Sequence, residues 1–183
     1  MACDLSKGRT SLPCKDDIGG IKSIYITNYG EYAFNGSSTS AGHLIATLPV
    51  TITSSNTFKF ELKNSGNTFA QDMTSSRDNG TTIFTQTLNF VLPKLSSELE
   101  FQMKMLVYGR PQIFVETNSG SIILLGEKYG CEVTGKAEVL GTLDAMTGYT
   151  MTAVAVDPNP VWYLSASAST SLKAVASTQS VAV

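Results

Sequence analysis

The residues that could do chemistry in this chain of 183 residues are few, and they stand apart from one another. The single histidine, His43, follows Gly42 in a loop, with no second histidine and no paired cysteines, so its surroundings predict no metal centre. A serine triad would have to draw on that same histidine. Cys3, Cys14 and Cys131 show neither framework spacing nor a neighbouring base; reduced, chemically idle thiols are the expectation. Asp16 and Asp17 lie among glycines and read as solvated turn residues. The glycine-bearing stretches Gly126 to Gly130 and Gly135 to Gly141 precede strand patterns and not a helix, unlike a phosphate loop. The sequence therefore predicts no enzyme, no cofactor and no metal.

Charge excludes further classes. Lys7 with Arg9 and Lys15 with Lys22 are the nearest things to a basic patch, and no aromatic residues interleave with them. With a net charge of -2 and 15% charged residues, below the usual quarter of a soluble domain, the chain has little to attract nucleic acid. Few charges together with much Ser, Thr and Gly make a surface that packs readily against copies of itself. No apolar run reaches the length of a membrane span, and Met1 to Arg9 lacks the apolar core of a signal peptide, so synthesis in a cytoplasm is expected. Trp162 and Tyr163 could line a ligand groove, but an aromatic pair in a late strand is expected in the core.

The elements around these residues are mostly strands. Residues 1–20 are polar and interrupted by Gly8, Pro13, Gly19 and Gly20, an irregular arm before a first strand at Ile21 to Tyr29. Asn35 to Gly42 is a loop by composition, and a short strand follows near Leu44 to Leu48. Thr57 to Leu62 alternates Phe58, Phe60 and Leu62 against Thr57, Lys59 and Glu61. Thr82 to Leu92 sets Phe84, Gln86, Leu88, Phe90 and Leu92 opposite Ile83, Thr85, Thr87, Asn89 and Val91. Tyr149 to Val156 alternates in the same way, and a hairpin joins Gln112 to Glu116 with Ser121 to Leu125 through Asn118-Ser119-Gly120. Further strands are expected near Cys131 to Thr134, Ala137 to Leu140 and Val161 to Leu164. The polar stretch Asn64 to Thr81 is either a long hairpin or a loop, and it contains Phe69 and Met73, which need burial somewhere.

One helix is expected, at residues 97–108, opened by a Ser97 and Glu100 capping box and stopped by Gly109 and Pro111. It is apolar on two opposite faces. At about 100° per residue, Leu99, Met103, Leu106 and Val107 gather on one side, and Phe101, Met105 and Tyr108 on the other. A helix on a sheet needs only one apolar stripe, so the second calls for a subunit or for a roof from its own chain. Residues 165–183, rich in Ser and Ala, read as a low-complexity arm, disordered by itself. The fold class that follows is mainly β: an antiparallel sandwich or barrel spanning residues 21–164, with one packed α-helix.

From Thr82 onward the order of these signals resembles the tail tube proteins of bacteriophages. The resemblance rests on the strand Thr85-Gln86-Thr87-Leu88-Asn89-Phe90, on the helix ending Tyr108-Gly109-Arg110-Pro111, and on the hairpin from Ile113 to Gly120. It continues through Leu124-Leu125-Gly126, Tyr129 to Gly135, Gly148 to Thr152 and Pro158 to Leu164, and the opening Leu12 to Asp16 with Gly19-Gly20-Ile21 looks like the start of related phage structural proteins. It covers about half of the chain; the arm after Leu164 departs from the usual core, and the segment before Asn64 is only loosely similar. It implies hexameric rings whose sheets join into one inner barrel, stacked into a tube in the virion tail through which DNA passes without specific binding. Phe101, Met105 and Tyr108 would then meet the next subunit, and Phe69 and Met73 the next ring. A neck or tail-associated ring of the same fold is one alternative. A β-sandwich binding or capsid-decorating module is another.

Overall fold

The computed structural model describes residues 8–9, 18–31, 38–39, 43–48, 56–63 and 66–176. Cys3, Cys14, the Asp16 and Asp17 pair, and most of the Asn35 to Gly42 loop lie outside the described residues. The chain runs β1 (Ile21–Thr27), β2 (Ser38–Thr39), β3 (Leu44–Ile45), β4 (Thr57–Glu61), β5 (Thr68–Ser76), β6 (Thr81–Pro93), α1 (Ser97–Tyr108), β7 (Gln112–Thr117), β8 (Ile122–Leu125), β9 (Glu132–Val139), β10 (Thr147–Asp157), β11 (Trp162–Leu164) and α2 (Ala166–Ala176). Two sheets form from these strands. The first has the order β2-β3-β11-β8-β7-β1-β4, antiparallel except where β11 meets β3, and the second has the order β5-β6-β10-β9, antiparallel throughout.

The sheets face each other across an apolar layer of Ile24, Ile26, Ile113, Val115, Ile123 and Leu125 from the first, and Leu88, Phe90, Met151, Ala153 and Ala155 from the second. These are alternate residues of their strands, so the period of two in β6 and β10 does place one side inward. The mainly β sandwich with a packed helix is thus present. The separate strands expected at Cys131 to Thr134 and Ala137 to Leu140 are one continuous β9, because Gly135 lets the strand pass over Met151: a Cβ there would collide with the Met151 sulfur.

Helix α1 adds Leu99, Met103 and the partly buried Leu106 to the same layer, on the β9 side. Its cap is Ser96 and not Ser97: the Ser96 Oγ accepts the Leu99 amide at 3.1 Å. Glu100 does not reach back to close a box; its Oε2 accepts the Tyr149 hydroxyl at 2.6 Å, tying the helix to β10. Burial and this hydrogen bond push the Tyr149 phenol up to about 12.

The expectation of an unstructured arm over residues 165–183 is corrected by α2. Ala168, Leu172 and Ala176 recur every four residues and cover the outer face of the first sheet against Tyr25, Phe114, Ile122 and Leu124. Ser165 starts this helix, its Oγ accepting the Ala168 amide at 3.2 Å and donating to the Ala46 carbonyl at 2.8 Å. Small residues let the helix lie close to the sheet, and alanine's high helix propensity does the rest. A charged fastener completes the contact. Buried Glu116 accepts hydrogen bonds from Ser23 and Tyr25 at 2.7 Å each, and from Lys173 of α2 at 2.8 Å, with Lys22 at 3.4 Å. Burial alone would raise its pKa; the bonds from Lys173, Tyr25 and Ser23 outweigh it and hold the carboxylate near about 2.

Among the described residues no helix is long and apolar enough to cross a membrane.

Candidate subunit interface

Nothing among the described side chains assembles a reaction centre. His43 stands at φ 51°, its ring 4.5 Å from that of Trp162, and its Nδ1 is buried without a hydrogen-bond partner. Glu127 accepts the Trp162 indole N–H at 3.2 Å, and burial raises both Glu127 and Asp157 above the usual carboxylate range. Asp157 takes the Lys128 amide at 3.4 Å and so anchors the turn between β8 and β9. No group of three or more His, Cys, Asp or Glu residues with metal-binding geometry occurs among the described residues. Cys131 is fully buried in the inner layer, its thiol pushed up to about 12 by burial and by the nearby charge of Asp157. It is a packing residue, inert as a nucleophile.

The features that ask for a partner all belong to the second sheet and to α1. The two faces read from the helix periodicity are real. Leu99 and Met103 are buried, whereas Phe101 (57%), Met105 (48%) and Tyr108 (75%) are exposed side by side, with the Lys104 ammonium 5.7 Å from the Tyr108 ring. Val107, grouped by sequence with the buried face, is exposed at the margin. A shallow groove runs between this helix and β9, floored by Met103, Tyr149 and Met151 and rimmed by Tyr108, Lys136 and Ala137.

Beside the groove, β9 is a free edge of the four-stranded sheet, and β5 is the other. They match in length, eight residues and nine. Unpaired edges of this length invite another strand unless something blunts them.

The polar stretch after Asn64 is therefore a hairpin arm built into the sheet. Its strand β5 pairs with β6 in unbroken register from Thr68 opposite Asn89 to Ser76 opposite Thr81. This splits the pair expected to reach another ring. Phe69 lies opposite Leu88 and packs against the protein's own inner layer, because β5 faces that layer with its odd-numbered residues; it is not free for a neighbour. Met73 lies nearer the hairpin tip and remains 70% exposed.

The face of this sheet that points away from the sandwich is threonine-rich. Thr68, Thr74, Thr85, Thr87, Thr134, Thr150 and Thr152 alternate onto it, together with Asn89. Its polar groups satisfy one another. The Thr152 hydroxyl donates to the Asn89 Oδ1 at 2.8 Å, and the Asn89 amide donates to the Thr68 Oγ1 at 3.1 Å, a ladder across three strands. Charge is sparse and acidic on balance: Asp72, Glu132 and Glu138 against Lys136, which is paired with Glu138 at 2.8 Å.

Sequence reasoning missed the exposed aliphatic turn between β9 and β10, where Val139, Leu140 and Leu143 stand in solvent. Leucines at a turn containing Gly141 and Asp144 were the available signal. What these features define is an antiparallel sandwich that presents edges, an apolar helix face and an inert polar wall. Comparison with family models, curated proteins and solved structures finds no match to the chain.

Proposed function

We propose that this protein is the protomer of a ring that stacks into a tube of the phage tail type and conducts DNA. The observation that carries the reading is the second sheet: four strictly alternating strands with two free edges of matched length. Because the strand count is even, β5 and β9 run in opposite directions. A copy rotated about an axis along the strands therefore brings its β5 antiparallel to β9, and repeating that rotation closes a barrel with no edge left.

The rest of the geometry supports the same arrangement. Such a barrel turns the threonine face to its lumen. A wall with satisfied hydroxyls and no excess of cations releases no counterions from DNA and gives it nothing to adhere to, which suits passage and not binding. The exposed Phe101, Met105 and Tyr108 lie on the β9 side, where the neighbouring copy would cover them. The resemblance in the order of motifs after Thr82 supports hexameric rings in a virion tail. A neck ring of the same fold uses the same edges, and ring length and stacking separate the two. A binding or decorating module, the other alternative, calls for exposed edges that stay unpaired.

The test is mass in solution and negative-stain imaging of the full chain. Rings or tubes with a central channel are expected. A monomer at micromolar concentration, with both edges left unpaired, refutes the reading.

A further inference from the structure

The proposed rings need ends as well as edges, and the register of the second sheet locates them. Strand β6 begins at the β5–β6 hairpin tip and ends at Pro93, which pairs with Gly148, so the tip and the β9–β10 turn lie at opposite ends of the sheet. The turn end carries Leu143, fully exposed, with Val139 (71%) and Leu140 (51%) beside it. At the tip end Met73 (70%) and Ile83 (42%) are exposed. Tyr129 (52%) stands at that end too, because its loop leads into the start of β9 opposite Val154. Each end thus shows a small apolar patch that its own chain does not cover. Their charges are opposite where they adjoin the patches: Asp144 follows Leu143, whereas Arg77 occupies the hairpin turn and Lys128, 5.3 Å from the ring of Tyr129, borders the other side.

We infer that the occupant of each patch is the other patch on a second copy: Leu143 and its neighbours seat against Met73, Ile83 and Tyr129 of the next ring, with Asp144 facing the Arg77 and Lys128 side. This inference rests on the tube reading and adds the surfaces by which rings stack. A translation along the strands brings unlike ends together, so the contact is heterologous and does not close on itself; it extends into a filament. It also moves most of the stacking contact from the hairpin, where sequence placed it, to a turn-to-tip pairing in which Met73 keeps its part and Phe69 has none.

Two charge substitutions test it, Leu143→Asp and Met73→Asp, both at side chains exposed in the protomer, with a cooperative thermal transition checked first in each. Each variant alone is expected to give single rings and no tubes. Preformed rings of the two variants, mixed, are expected to give stacks two rings high and no higher, since each supplies the end that the other lacks. Normal tubes from either variant overturn the inference, as do paired rings from one variant alone, which would mean like ends meeting. Wild-type protein that forms no ring at all overturns the functional reading itself; wild-type rings that stack while both variants also stack overturn only the surfaces named here.

Discussion

Glu116 ties the carboxyl-terminal helix to the sandwich, and acid should untie it. The carboxylate is 2% exposed and is held at about 2 against an ordinary value of 4.5. That depression corresponds to about 3 kcal/mol of preference for the ionised form in the folded chain. The folded value lies below the unfolded one, so this stabilisation is fully present above about pH 5 and is lost as pH falls through 4.5 towards 2. Replacing Glu116 by Gln removes the charge at every pH while keeping an oxygen for Tyr25 and Lys173. The variant should be less stable than wild type by about 2–3 kcal/mol at pH 7, since a hydrogen bond to a charged group becomes a neutral one inside a buried site. Urea unfolding followed by circular dichroism at pH 7, 5, 4 and 3 checks both statements. The difference between wild type and variant should shrink steadily below pH 5. A constant difference across that range would refute the assignment of the acid-labile term to Glu116 and leave its cluster as ordinary packing.

Other outcomes follow from the same geometry. Met105→Glu should abolish ring formation, since a subunit contact would then bury an unpaired charge, while the thermal transition of the monomer stays within about 0.5 kcal/mol because the site is half exposed in the protomer; analytical ultracentrifugation and calorimetry separate the two effects. Cys131→Ser should destabilise by about 1–3 kcal/mol, a hydroxyl replacing a buried thiol in the apolar layer, and Cys131→Ala by less than the serine, measured by denaturant midpoint. Gly135→Ala should weaken the β9–β10 pairing, because the added methyl meets the Met151 side chain and the Thr150 carbonyl at 2.8 Å, and faster amide hydrogen exchange along β9 is the readout.

The alternating strands β6 and β10 were legible because each has one buried face, and the doubled apolar character of α1 was legible because a period of 3.6 sorts Phe101 from Leu99 unambiguously. The helix α2 was not. Its Ala and Ser composition suits a solvated tail as well as a helix, and what orders it is a surface contributed by strands far away in the chain. That surface did leave a trace in Ile113-Phe114-Val115 and Ile122-Ile123-Leu124-Leu125, runs apolar on consecutive residues, which mark strands covered on both faces. The cap of α1 differed by one residue because Ser96 and Ser97 are chemically equal and only backbone angles choose between them. Phe69 was misjudged because its immediate neighbours are polar; strand pairing, not local composition, carried it to the inner layer. For the candidate interface, sequence supplied the helix face and missed the edges, since which strands end a sheet is decided by topology alone.

The place of β1 in the first sheet has a consequence for how the chain is made. It emerges early from the ribosome, yet it sits between β4 and β7, and its partner residues on β7 lie some ninety positions later: Tyr25 pairs with Phe114. Until β7 and β8 have been synthesised, this strand has only β4 to pair with and leaves an apolar flank open. Pairings of such long sequence separation make folding slow and give nascent chains time to find one another. A polypeptide whose mature form depends on adding strands from copies of itself must therefore postpone that reaction during its own birth, and the cell's holding chaperones are the natural means of postponing it.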